Sequence, residues 1–368
     1  MKARTMNKFF KALLVHIDSF LMGSLFFTLM VGLFVLYSAS GQDFSKVYDQ
    51  TVNIVLAFSV MWLAANIPPH QLERIAMPLY VLGVVLLVAV ELVGSTSHGA
   101  QRWLNLGITK IQPSEIMRIA MPMMLAWYFT KLEVRPSAKH FAQAGLLLLV
   151  PVALVMKQPD LGTALLISAA GFYVLFLAGL SWKLLVGGTL SLAIATPFLW
   201  TLLHDYQRRR IEILFDPSQD PLGSGYHTIQ AMIAIGSGGF AGKGWLNGTQ
   251  AQLDFIPERT TDFIFAVFSE EFGLLGNLLL LSLFSLIILR GLVIASEAKS
   301  TFGRLLAGSI ALTFFTYAFV NMGMVSGILP VVGVPLPLIS YGGTSMVMLC
   351  LGLGILMSIA THKNVVAT

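Results

Sequence analysis

Apolar residues along this chain gather in long runs that recur from end to end, most of them apolar on every side rather than along one helical stripe. About 20 apolar residues carry one helix across a bilayer. The pattern predicts ten spans, with approximate cores at Phe20–Tyr37, Val52–Ala65, Met77–Val93, Ile116–Phe129, Phe141–Met156, Leu161–Leu180, Leu184–Leu203, Phe263–Leu289, Leu305–Val325 and Thr344–Ala360. The fold class expected is an all-α polytopic membrane protein, a single integral membrane domain over residues 1–368. Composition agrees: 56% of the 368 residues are hydrophobic and 11% charged, against roughly 25% charged in a soluble domain.

The polar stretches between the runs set the orientation. Lys2, Arg4, Lys8 and Lys11 precede the first run and Ser38-Ala39-Ser40 follows it, like a signal peptide, but the apolar core is too long for one and reads as a retained helix. With ten spans both termini share a side. Segments on that side carry thirteen Lys and Arg, including Arg74, Lys131, Arg135, Lys139, Lys183, Arg290, Lys299, Arg304 and Lys363; the short loops opposite carry four, Lys46, Arg102, Lys110 and Lys157. The positive-inside rule therefore puts both ends in the cytoplasm. The net charge of +5 follows from this bias, and the chain lacks the polar tract with interleaved aromatics of a nucleic-acid binder. Cys350 alone excludes internal disulfides and cysteine-rich metal sites, and reads as a small apolar filler.

Two stretches depart from the helical pattern. Residues 204–262 form a large extracytoplasmic loop between spans seven and eight, too rich in apolar residues such as Ile229, Phe240, Trp245 and Ile256 for a solvated linker. Tyr226–Ile235 within it suits a helix lying on or dipping into the membrane. GILPVVGVPLPLISYGG, from Gly327 to Gly343, holds Pro330, Pro335 and Pro337 and no charge, so it cannot continue a helix. It is either a simple apolar hairpin or irregular backbone buried in protein or lining a cavity.

Several familiar chemical signals fail. GSGGFAGKGW at Gly236 has Ser237 where a phosphate loop needs its first glycine and Gly244 where it needs Ser or Thr; its match to a dinucleotide motif has no strand before it. Neither a His-Glu-x-x-His zinc pair nor a G-x-S-x-G nucleophile turn occurs. What remains is ionisable groups at or inside the membrane, which are costly and usually face a cavity. Glu115 and Arg118 share one face of span four, as a self-neutralising pair or a functional one. Lys157 and Asp160 flank a Pro-Asp turn, where Asp160 also suits an ordinary helix cap. GAQRWLNLG presents Arg102 beside Trp103, an interfacial anchor on the plainer reading. FIPERTTDFIFAVFSEEFG, from Phe255, sets four carboxylates into an apolar run. Asp262 falls near the start of span eight at the water boundary, as a reactive carboxylate or a cap. On a helical wheel Ala266 and Ser269 share its face, Glu270 lies to the side and Glu271 nearly opposite, both deeper and expected to find polar partners inside the bundle.

These residues, in this order, resemble the RodA branch of the SEDS family (shape, elongation, division and sporulation proteins). The motifs that carry the resemblance are YSASG at Tyr37, GAQRWLNLG, QPSE, QPDLGT, HDYQRRRI at His204, DPLGSGYHTIQAMIAIGSGG at Asp220, GKGWLNGTQ, FIPERTTDFIFA and GILPVVGVPLPLISYGG. The resemblance implies ten transmembrane helices of the bacterial inner membrane. It also implies polymerisation of lipid II into peptidoglycan during elongation, beside a class B penicillin-binding protein that crosslinks the strands, with Asp262 in the catalytic position. It places a lysine where this chain has Arg118, and a planar fork and a point charge need not contact a diphosphate alike.

The chemistry so implied needs a carboxylate to take a proton from the acceptor hydroxyl and cations to hold the departing diphosphate. Arg102, Arg118, Lys157, Arg210, Lys243 and Arg259 are the candidates, with Glu115 and Asp160 in the same cavity; a divalent cation is a possible aid, though no ligand cluster marks one. Broken spans and intramembrane charges also suit a lipid II flippase or an ion-coupled transporter. A scaffold that only recruits the wall machinery leaves those charges unexplained.

Overall fold

The computed structural model describes residues 15–97, 100–105, 110–132, 135–202, 205–220, 223–253 and 255–362. The basic residues before position 15, Lys363, His204, and Gly99, Leu106 and Gly107 of the GAQRWLNLG motif lie outside them.

The chain is mostly helical, and the local sequence explains where its helices begin. α1 (Ser19–Ala39) is capped by Asp18, which accepts from the Leu21 amide at 2.9 Å, and α2 (Phe44–Ala65) by Asp43, which accepts from Ser45. Proline opens α3 (Pro69–Val93) and α4 (Pro113–Thr130), where its missing N–H is no loss. Between these two a small antiparallel sheet, absent from the sequence expectation, orders β1 (Ser95–Ser97), β2 (Ala100–Asn105) and β3 (Lys110–Ile111). There follow α5 (Ala138–Lys157), α6 (Leu161–Leu177) and α7 (Trp182–Leu202). The segment after them is structured, with α8 (Asp205–Phe215), α9 (Ser224–Gly238) and the single turn α10 (Thr249–Gln252); α9 covers the helix expected at Tyr226–Ile235. α11 (Ile264–Glu297), α12 (Thr301–Val325) and α13 (Gly343–Thr361) complete the chain.

Among the described residues, seven helices are long and apolar enough to cross a membrane: α1, α2, α3, α5, α11, α12 and α13. α12 is the central post, with 72% of its most apolar stretch buried against 22% in α2 and 28% in α3. It packs on α4, α6 and α11, while α1 packs on α11 and α13 on α2. Of the Gly327–Gly343 stretch, residues 327–342 form no helix: they are irregular backbone whose Val334, Leu336, Leu338 and Ile339 are buried, the alternative to a simple apolar hairpin.

α11 is broken. Gly273 has φ 60° and ψ −156°, which interrupts the i to i−4 ladder and frees backbone groups on both sides. Residues 239–244 enter the gap and pair with them: Lys243 and Gly244 amides donate to the Glu270 and Glu271 carbonyls at 3.0 Å each, and Leu274 and Leu275 amides donate to the Gly239 and Phe240 carbonyls at 3.0 and 3.1 Å. The fit leaves no room for side chains, since a Cβ on Gly273 would strike the Gly242 nitrogen. Gly273→Ala combines that clash with a positive-φ, extended-ψ conformation that only glycine adopts readily, costing about 1–3 kcal/mol. It should lower the thermal unfolding midpoint of the detergent-purified protein by several degrees, whereas Gly236→Ala, whose Cβ meets nothing within 4 Å, should leave it unchanged or raised.

Candidate functional site

Asp262 lies in a turn over residues 257–263, just before α11, and not in the helix, so the helical-wheel placement of its neighbours does not apply to it. Glu258 adopts φ 53°, and its carbonyl accepts from the Thr261 and Phe263 amides at 3.0 and 3.2 Å. Three successive carbonyls of the turn are held from elsewhere. The Tyr341 amide donates to Thr260 at 2.9 Å, the Ser340 hydroxyl to Thr261 at 2.6 Å and the Asn321 side-chain amide to Asp262 at 2.8 Å. Gln50 of α2 steadies the donors, giving a hydrogen bond to the Ser340 carbonyl and taking one from the Gly342 amide, each at 3.2 Å.

The Asp262 carboxylate is not the cap of α11, whose N-cap residue is Phe263 and which has no side-chain cap. One of its oxygens lies 3.6 Å from where a Cβ on Gly333 would stand. Burial raises its pKa to about 6, and the nearby Glu258 charge pushes in the same direction.

A second cluster flanks the same irregular segment. Asp160 caps α6, accepting from the Thr163 amide at 3.1 Å, and also accepts from Gln112 at 3.0 Å; the Arg102 guanidinium stands 3.9 Å away. Arg102 is otherwise spent on the turn, donating to the Gln158 and Pro159 carbonyls at 3.3 and 2.5 Å. Beneath, Arg118 stands 2.8 Å from Glu115, donates to the Thr163 hydroxyl at 3.0 Å and lies 5.5 Å from the Tyr317 ring centre. This uses the fork of the guanidinium; a lysine would replace one prong. The start of α6 abuts the connection, since a Cβ on Gly162 would meet the Val332 carbonyl. From the other side, Arg210 lines a small cavity with Leu329, Pro330 and Val331.

The remaining candidates stand apart. Lys243 pairs with Glu270 at 2.7 Å, and that fully buried carboxylate also accepts from the Thr249 and Gln250 amides at 2.9 and 3.1 Å. Glu271, equally enclosed, takes the Ser38 hydroxyl of the YSASG motif. Both carboxylates thus have the internal polar partners expected of them. Lys157 is exposed and pairs with Glu91 at 2.5 Å, and Arg259 approaches Gly41. A cavity of about 40 Å³ lies beside Arg118, Thr313 and Tyr317 and is otherwise walled mainly by apolar side chains such as Ile119, Phe314 and Leu353. Among the described residues no group of three or more His, Cys, Asp or Glu is placed to hold a metal. Sequence reasoning missed Gln50, Asn321 and Ser340, whose only signal was a neutral polar side chain inside or beside an apolar run.

Fold and site together define a multi-pass membrane protein whose ionisable groups gather around one irregular segment at the sheet-bearing end of the bundle. The chain belongs to the FtsW, RodA and SpoVE family, described as "Cell cycle protein", whose sequence model matches residues 18–365. It is 51% identical over 354 residues to the peptidoglycan glycosyltransferase MrdB of Escherichia coli K12, covering 96% of each chain. A solved structure described as "Structural coordination of polymerization and crosslinking by a peptidoglycan synthase complex" is similar with a TM-score of 0.82 and 32% identity, over 93% of this chain and 97% of that one. The Rod shape determining protein RodA of Thermus thermophilus is similar with a TM-score of 0.70 and 29% identity, over 94% and 97%.

The buried pair generates a stability test. Glu115→Leu strands the Arg118 guanidinium and should cost about 3–5 kcal/mol, whereas Glu115→Leu with Arg118→Met removes both charges and should recover most of it. Thermal unfolding of the two single variants and the double variant measures this; losses that simply add in the double variant would mean that the two side chains are not coupled.

Proposed function

We propose that this chain is a peptidoglycan glycosyltransferase that polymerises lipid II during cell elongation and maintenance of rod shape, with Asp262 as its general base. The observation that carries the assignment is the Asp262 turn. A half-buried carboxylate that does not cap α11 sits on a backbone whose carbonyls are fixed, with a pKa of about 6. Such a group is ionised at neutral pH yet basic enough to accept a proton.

In the reaction, the acceptor GlcNAc 4-hydroxyl gives its proton to Asp262 as its oxygen bonds to C1 of the donor MurNAc. The C1–O bond to the diphosphate breaks with inversion, and the polyprenyl diphosphate leaves with its charge compensated. Arg210, which lines the irregular connection from the loop side, ranks first among the cations for that role, and Arg118 supports from beneath. Lys243 and Lys157 rank last because Glu270 and Glu91 already engage them. Any divalent cation would arrive on the diphosphate, as magnesium commonly does.

In the inner membrane α1 to α7 and α11 to α13 make ten crossings, counting the charged α4 and the shorter α6 and α7. The whole is one integral membrane domain, both termini are cytoplasmic, and residues 204–262 are an extracytoplasmic loop that carries the site to the outer surface. A class B penicillin-binding protein docks by its membrane helix along α11 and α12 and by its juxtamembrane region on that loop. Leu274, Leu275, Leu278, Phe315 and Phe319 offer an exposed apolar face there. Co-purification that survives deletion of the partner's membrane helix and juxtamembrane region would overturn this docking.

Asp262→Asn should fold and insert yet lose about 10²- to 10⁴-fold in rate. Wild-type rate should fall as pH drops through about 6, where the base becomes protonated. For stability the sign is opposite. A carboxyl whose folded pKa is raised favours folding while protonated and loses that advantage as pH rises from about 4 through 6, so Asp262→Asn should be no less stable than wild type at neutral pH. Glycan formation from lipid II in detergent, where no gradient exists, is the measurement. Near-normal product from folded Asp262→Asn would remove the base, and no product from wild type would favour a flippase.

A further inference from the structure

Asn321 belongs to α12, is fully buried, and occurs in no candidate set drawn from the sequence. A carboxamide nitrogen has two hydrogens to give. Here they go to two carbonyls from different parts of the chain, Asp262 at 2.8 Å and Val334 at 2.7 Å. Val334 directly follows Gly333, beside which the Asp262 carboxylate lies, one oxygen 3.6 Å from where a Cβ on that glycine would stand. One side chain on the central helix therefore fixes the backbone of the carboxylate and the backbone of the wall it faces.

We propose that Asn321 is a positioning residue that sets where the Asp262 carboxylate stands relative to the Gly333–Val334 wall, and hence relative to the acceptor hydroxyl. The proposal rests on the reading of Asp262 as the general base. Neighbouring struts do not duplicate it. The Ser340 hydroxyl holds Thr261 and the Tyr341 amide holds Thr260, so the Asp262 carbonyl has its link to α12 through Asn321. Neither side chain nor carbonyl in this link is charged, so its effect is geometric.

Asn321→Leu keeps the volume and removes both donors; Asn321→Ser keeps one shorter donor that cannot reach both carbonyls. A displacement near 1 Å at a reacting group costs about 10²-fold in rate. Folded Asn321→Leu should therefore make glycan from lipid II about 10²-fold more slowly, with KM within about threefold of wild type. Its rate should also respond to acid at a different pH, because the carboxylate no longer sits in the same burial. Asn321→Ser should fall between. The distinguishing measurement is the double variant. If Asn321 acts through Asp262, adding Asn321→Leu to Asp262→Asn should slow the residual reaction by less than about twofold. Wild-type rate and pH profile in folded Asn321→Leu or Asn321→Ser, with Asp262→Asn inactive, would overturn the positioning role alone. So would a full additional loss in the double variant. Near-normal rate in Asp262→Asn would overturn the base assignment and this inference with it.

Discussion

A helix cannot break in an apolar environment without leaving amide and carbonyl groups that must be paired. α11 breaks at Gly273, and residues 239–244 supply the missing partners on both sides of the gap. Much of the surrounding structure follows from this splice. Glu270 and Glu271 lie immediately before the break, where Lys243, Thr249 and Gln250 close over one and Ser38 over the other. Trp245 continues from the inserted segment onto α1, stacking on Phe34 with ring centres 4.1 Å apart. The long segment before α11 is thus bolted to two membrane helices, and the Asp262 turn hangs between that anchorage and α12.

The irregular connection between α12 and α13 solves the same problem by another route. Its proline-rich backbone has few internal ladders, so its polar groups are matched to side chains and turns: Asn321 takes Val334, Ser340 takes the Leu336 amide, and Gln50 takes both Ser340 and Gly342. The start of α6 presses on one side of it and Asp262 on the other. The Asp262 carboxylate and a buried ionic cluster thereby lie along one segment without sharing a hydrogen bond.

Helix existence was legible because apolar runs of bilayer length have few other uses, and two starts carry ordinary signals, an opening proline at Pro113 and a cap at Asp160. The need of Glu270 and Glu271 for internal partners was legible from their depth. Lys243 as the partner was not: its glycine-rich surroundings imitate a phosphate loop, and only the fold shows that Gly238 and Gly242 lie flat against a broken helix. The short sheet escaped notice because eleven strand residues among turns leave no two-residue period long enough to read. Asn321, Ser340 and Gln50 were invisible for a different reason. A neutral amide or hydroxyl in an apolar run has no charge to explain, and its importance lies in partners that are 59 residues away for Asn321 and 79 for Ser340.

That separation has a consequence in time. The Asp262 turn is synthesised well before the residues that clamp its carbonyls, and at about 5–20 residues per second the ribosome needs roughly 4–16 s to add the 79 residues between Thr261 and Ser340. During that interval the turn has emerged but its clamp has not. The Asp262 turn acquires its fixed position only when the penultimate helix and the connection after it have entered the bundle, so the two halves of this clamp meet late in the folding of the chain.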